Sequence, residues 1–203
     1  AVFNKRSGGY RLVQGTRVVE DASGGEVISA YFSGAAVYVH LRQAGEYVLK
    51  RYLVNAEGVI STNSTWPISG DLIGAYGDVV WLRYGNSISA LSVIGQELVP
   101  ALAQSLSDAI IAVQVDNTFA YVLTKAGIYR FSFVVNDLPI VQQESFTALA
   151  DMDGFHVDAD HLSVWSANKL SSFKILPDGG LASIQNAKEL PGVIDKASSD
   201  DEI

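Results

Sequence analysis

Residues 150–160 read ADMDGFHVDAD, which sets four aspartates and one histidine within eleven positions. Asp151 and Asp153, followed by Gly154, have the alternating carboxylates that open a calcium loop, where successive side chains converge on one cation. The further oxygens and the closing Glu of an EF-hand loop are missing. The competing reading is therefore a solvated loop in which each Asp fixes a turn through its own backbone. His156 and Asp158 stand two residues apart, so on a strand they share a face. There they could work as a base and its carboxylate or simply hold each other in place. No G-x-S-x-G motif or other nucleophile motif accompanies them. The remaining histidines, His40 and His161, fall in separate segments, which argues against zinc.

Other groups could recognise rather than react. Trp66 lies in TNSTWPISG, where an exposed indole would stack on a sugar ring or anchor a protein partner; folding back over a neighbouring element is the alternative. Trp81 and Trp165 sit inside apolar runs and are expected in the core. Asn63-Ser64-Thr65 matches a glycosylation sequon, a pattern that also arises by chance.

The elements that would position these residues come from a repeat. VQVDNTFAYVLTKAGIYRFSF (113–133) is answered by HVDADHLSVWSANKLSSFKI (156–175). Hairpin-type turns start at residues 42, 83, 124 and 166, which are 41–42 residues apart. Runs of Val, Ile, Tyr, Phe and Trp alternate between them, the signal of strands, and no segment sustains a helical period. A unit of about 40–45 residues with four strands is the blade of a β-propeller. The expected fold is all-β: a five-bladed β-propeller of four-stranded antiparallel blades in one domain, 1–203. The expected blades are 26–62, 70–100, 108–143, 154–185, and a shared one built from 192–203 plus 1–21. In the shared blade the C-terminal segment gives the first strand and the N-terminal segment the other three. Closure covers sheet faces that an open arc would leave wet, at roughly 25 cal/mol per Å² of apolar area. The alternative is a fragment of a larger ring, which would rarely contain one whole turn of the pattern.

The chain resembles β-propeller repeat proteins over its whole length. KRYLVNAEGVIS and SSFKILPDGGLASI are similar to strand endings of bacterial lactonase-like and surface-protein propellers. AYVLTKAGIYRFSFVVNDLPIV resembles bacterial repeats in which a GL-x-V strand follows a YVA strand. These motifs are architectural; they imply a fold and no substrate. Lactonase-like families are larger and typically seven-bladed, so their active residues are not carried over. VWLRY and SVWSA lack the Asp of WD repeats, and the repeated binding sequence of tachylectin-like lectins is missing. The resemblance implies a ligand at the funnel mouth, where five-bladed glycosidases place two or three carboxylates. Asp71, Asp108, Asp153 and Asp195 stand near the starts of the expected first strands, although Asp also favours such turns for its own sake.

Composition narrows the classes. Hydrophobic residues make up 48% and charged residues 18% of the 203, enough for a folded core. The net charge of −8 and the lack of any basic run weigh against nucleic acid. The absence of cysteine excludes disulfides and thiolate metal sites. No stretch approaches the ~18 apolar residues of a membrane span. The opening AVFNKR suggests a processed form or an excised domain. The reading is a non-catalytic binding or scaffolding module, secreted or at a bacterial cell surface, without a resident cofactor, calcium being the one candidate. It would recognise a glycan or protein through Trp66, Asp153, His156 and Asp158 and could adjoin other domains of a larger chain. The alternative is a small glycoside hydrolase-like enzyme with carboxylates at the funnel mouth.

Overall fold

The computed structural model describes residues 2–4, 10–14, 17–21, 25–55, 58–116, 119–136, 138–146, 149–176 and 181–189. Among these, regular structure is almost wholly β-strand, in antiparallel meanders. No helix among the described residues is long and apolar enough to cross a membrane. The chain divides into two compact units, residues 1–105 and 106–203.

The first unit holds three sheets. β1 (Val2–Asn4), β2 (Tyr10–Gln14) and β3 (Arg17–Asp21) form one. β4 (Glu26–Ser33), β5 (Ala36–Gln43), β6 (Glu46–Asn55) and β7 (Gly58–Pro67) form the second. β8 (Asp71–Tyr76), β9 (Val79–Tyr84), β10 (Ser87–Ile94) and β11 (Glu97–Ser105) form the third. The middle sheet is covered on both faces, which is why all six residues from Ala36 to Leu41 on β5 are buried. Val37, Val39 and Leu41 pack with Val27, Tyr52 and Val54 on one side. Ala36 and Tyr38 pack with Leu49, Trp66, Leu72, Val80 and Leu82 on the other, in the seam with the third sheet.

The second unit holds two sheets: β12 (Ala112–Asp116), β13 (Phe119–Thr124), β14 (Gly127–Asn136) and β15 (Leu138–Phe146), then β16 (Gly154–Asp158), β17 (His161–Ser166), β18 (Lys169–Ile175) and β19 (Leu181–Glu189). Tyr121, Leu123 and Ile128 of the first meet Phe155, Val157, Leu162 and Val164 of the second, with Leu149 between.

Turn chemistry fits the positions. Ala44 and Gly45 both have positive φ, 51° and 89°, the primed geometry that suits the twist of a two-residue hairpin. Gly70, at φ 91°, enters β8 so close to β9 that a Cβ would lie 2.2 Å from the Arg83 carbonyl oxygen.

The fourth strands run further than the sequence suggests. The four-stranded sheets end at Pro67, Ser105, Phe146 and Glu189, each beyond the expected blade end. TNSTWP, expected as a connecting loop, is the second half of β7. Its polar composition reads as a turn, yet the pairing with β6 continues past two register shifts, at Arg51/Tyr52 and Leu53/Val54. An outer strand tolerates polar residues, bulges and a terminal Pro because one edge needs no partner. Residues 192–203, expected to complete the shared blade, lie outside the described residues.

Candidate functional site

The polar cluster predicted around His156 is built on two first strands of the second unit. β12 and β16 lie side by side. Between them the Gln114 carboxamide donates from Nε2 to the Val157 carbonyl at 2.5 Å and accepts the Val157 N–H on Oε1 at 2.8 Å. One side chain thus supplies the two bonds that a neighbouring strand would otherwise supply. Flanking Val157 on β16 are His156 and Asp158, which alternate with the core residues Phe155 and Val157. Two residues beyond Gln114 is Asp116. Burial, and then the Asp158 carboxylate, hold the Asp116 carboxyl above the usual carboxylate range, while His156 pulls the other way. Asp116, His156 and Asp158 therefore share one electrostatic neighbourhood. Ser163 stands in register opposite His156, with its Oγ 3.5 Å from Ser172 Oγ.

Asp116 and Ser163 were not singled out in the sequence, yet the signal for Asp116 was present. VQVDNT and FHVDAD align Gln114 with His156 and Asp116 with Asp158. Read as repeats, each strand ends on the same carboxylate, and adjacent strands bring those ends together. Ser163 carried no motif; only the β16–β17 register sets it opposite the histidine.

The remaining aspartates have local roles. Asp153 Oδ2 accepts the Ala167 N–H at 2.7 Å, fixing the β17–β18 turn, in which Ala167 has φ 46°. The Asp153 N–H donates to the Trp165 carbonyl, and the Asp151 N–H to that of Lys125. Gly154 seats an indole: a Cβ there would lie 2.3 Å from Trp165 Cζ2. Among the described residues no three His, Asp or Glu side chains gather as a cation site. Asp71 pairs with Arg83 at 3.2 Å, and Asp108 Oδ2 accepts the Ser107 hydroxyl at 3.3 Å. Asp195 lies outside the described residues. Asp160 bonds exposed His161 at 2.8 Å and Lys174 at 3.3 Å.

Trp66 is in the first unit, 9% exposed on β7, where its indole N–H donates to the Gln96 carbonyl at 2.8 Å. It is thus wedged between two sheets rather than projecting from a loop. One edge lines an open groove of about 510 Å³ with Pro67, Ile68, Leu91, Leu98 and Pro100. Elsewhere along the same seam, at the β8–β9 turn, Tyr38 donates to the Gly77 carbonyl at 3.1 Å and Arg51 reaches Asp78 at 2.5 Å. Burial above all pushes the Tyr38 hydroxyl up to about 12.

No protein-family model and no curated protein matches the chain. Solved structures do resemble it. A candidate 6-phosphogluconolactonase from Bacteroides fragilis shares 13% identity at a TM-score of 0.54, over 84% of this chain and 57% of that one. A chain from a Saccharomyces cerevisiae complex of Dbp5, Nup159 and Gle1 shares 13% at 0.55, over 80% of this chain and 44% of that one. Hsv2 of Kluyveromyces marxianus shares 11% at 0.51, over 78% and 51%. The lactonase-like protein and Hsv2 are β-propellers, and the four-stranded antiparallel sheets of this chain follow that fold. The chain spans about half the length of these structures.

Proposed function

We propose that the chain is a non-catalytic binding or scaffolding β-propeller that recognises a glycan or a protein at the ends of its sheets. One observation carries this reading. Of the carboxylates that a glycosidase of this architecture would draw on, the described ones are tied locally: Asp71 to Arg83, Asp153 to the Ala167 amide, Asp108 to Ser107. Glycoside cleavage needs two carboxyl groups free to face one bond, roughly 5–10 Å apart. Groups engaged in fixing turns and strands suit a rigid recognition surface better. The ring has five blades in this proposal, and residues 192–203 add the first strand of the blade that holds β1–β3. The setting is extracellular or at a cell surface.

A glycan array with affinity capture, run beside a panel of aryl glycosides, tests the proposal. Saturable binding without turnover is expected, weakened by His156→Ala with Asp158→Ala. Turnover that disappears in Asp153→Asn or Asp195→Asn would overturn it. Deleting residues 192–203 should lower the unfolding midpoint; an unchanged midpoint would remove the five-bladed closure. A calcium titration that raised the midpoint would restore Asp151 and Asp153 as cation ligands.

A second reading, hydrolysis, is favoured by one arrangement: Ser163 in register opposite His156, beside Asp116 and Asp158. Ester or glycoside turnover abolished by Ser163→Ala would establish it.

A further inference from the structure

His40 is fully buried on β5, and no described residue offers a hydrogen bond to Nδ1 or Nε2. It alternates along an unbroken strand with Ala36 and Tyr38, so it faces the seam with the β8–β11 sheet. Counted back three residues from the end of the second strand, the same position holds Trp81, Tyr121 and Ser163 in the other four-stranded sheets. Of the four, the β4–β7 sheet alone places an imidazole there.

We infer that the seam between the β4–β7 and β8–β11 sheets is an acid-sensitive closure, held shut by a neutral His40 and opened when that ring takes up a proton. The surroundings explain why the charged form does not fit. From β4, Ser29 stands opposite His40, but its hydroxyl is donated to the Leu72 carbonyl at 3.1 Å. From β6, Leu49 stands opposite, and the Tyr47 ring lies 5.5 Å away, centroid to centroid. From β8, the Asp71 carboxylate opposes His40, and Arg83 of β9 already holds that carboxylate at 3.2 Å. Arg42, two residues along β5, adds a like charge on the same side, opposite Glu26 and Tyr47 in register. An imidazolium here has two N–H donors without acceptors and a shared counter-ion, which is costly in a closed site. Burial first, opposed by Asp71, moves the ring below its ordinary range.

The sign follows from linkage. The unfolded chain takes up the proton near pH 6.5, and the folded seam only at lower pH, so stability falls as the solution is acidified through that window. Urea unfolding of the full chain from about pH 8 to about pH 5 tests this against His40→Phe, with exposed His161→Gln as control. The wild type and the control should lose up to about tenfold in folded-to-unfolded ratio per pH unit below about 6.5. His40→Phe should lose markedly less over the same range. Parallel pH curves for the wild type and His40→Phe would overturn the inference. If His40→Phe does not fold, imidazole nitrogen NMR of the wild type decides. A His40 ring still neutral at about pH 5.5 in the folded protein supports the closure, and a ring that titrates near 6.5 without loss of fold overturns it.

Discussion

The two units each press one four-stranded sheet against the next, but they fasten the seam differently. In the second unit the fastening is concentrated. Gln114 pairs with both backbone groups of Val157, and the Tyr121 ring lies 6.5 Å, centroid to centroid, from that of Phe155. In the first unit the fastening is spread out. Ser29 makes a single bond to Leu72, Tyr38 and Arg51 grip the Gly77–Asp78 turn, Trp66 bonds Gln96, and His40 has no hydrogen-bond partner among the described residues. A repeated backbone thus tolerates different solutions, provided that apolar area is covered and buried polar groups find partners. His40 fails the second condition, so the first unit carries the vulnerability to acid.

Substitutions can break or sharpen this contrast. Trp66→Ala should cost most, about 3–5 kcal/mol, since it empties the seam and leaves the Gln96 carbonyl without its donor; urea unfolding would report it. Tyr121→His carries the weakness across, at a cost of about 2–3 kcal/mol at pH 8 that grows by up to ~1.4 kcal/mol per pH unit below 6.5. If its pH profile stayed flat, the second seam would be shown to accept an imidazolium. Gln114→Ala should cost about 1–3 kcal/mol, because Val157 loses a donor and an acceptor in a half-buried place where water substitutes in part. Hydrogen exchange should then be faster at the Val157 amide than along β13. Ser29→Ala, with one bond at stake, should cost about 0.5–1.5 kcal/mol; a value matching that of Gln114→Ala would erase the difference between the inner edges of the two seams. Asp160→Asn touches only the exposed pairs with His161 and Lys174 and should leave the thermal midpoint within scatter, as surface pairs generally do.

Much of the fold was legible because the backbone repeats its punctuation. The turns at 42, 83, 124 and 166 each fall where a two-residue connection joins the second and third strands of a sheet. Strand ends were less legible. Ser64, Thr65 and Pro67 look like a loop, yet an outer strand has one edge free and accepts them. The site was legible in part: the pairing of His156 with Asp158 on one strand follows from period two. The approach of Asp116 depends on a second strand 42 residues away, which only repeat alignment hints at.

The sequence by itself determined the all-β class, the four-strand meander and its period, since these depend on local alternation and on turn residues that act over a few positions. Tertiary structure decided which polar side chains meet a partner. His40 and Gln114 are both polar residues within apolar strands, and nothing local distinguishes them. Packing sets Gln114 against the N–H and carbonyl of Val157 and encloses His40 among Leu49, Tyr47 and a carboxylate already held by Arg83. Hydrogen-bond satisfaction depends on which strands lie adjacent, and adjacency is fixed only when the sheets stack.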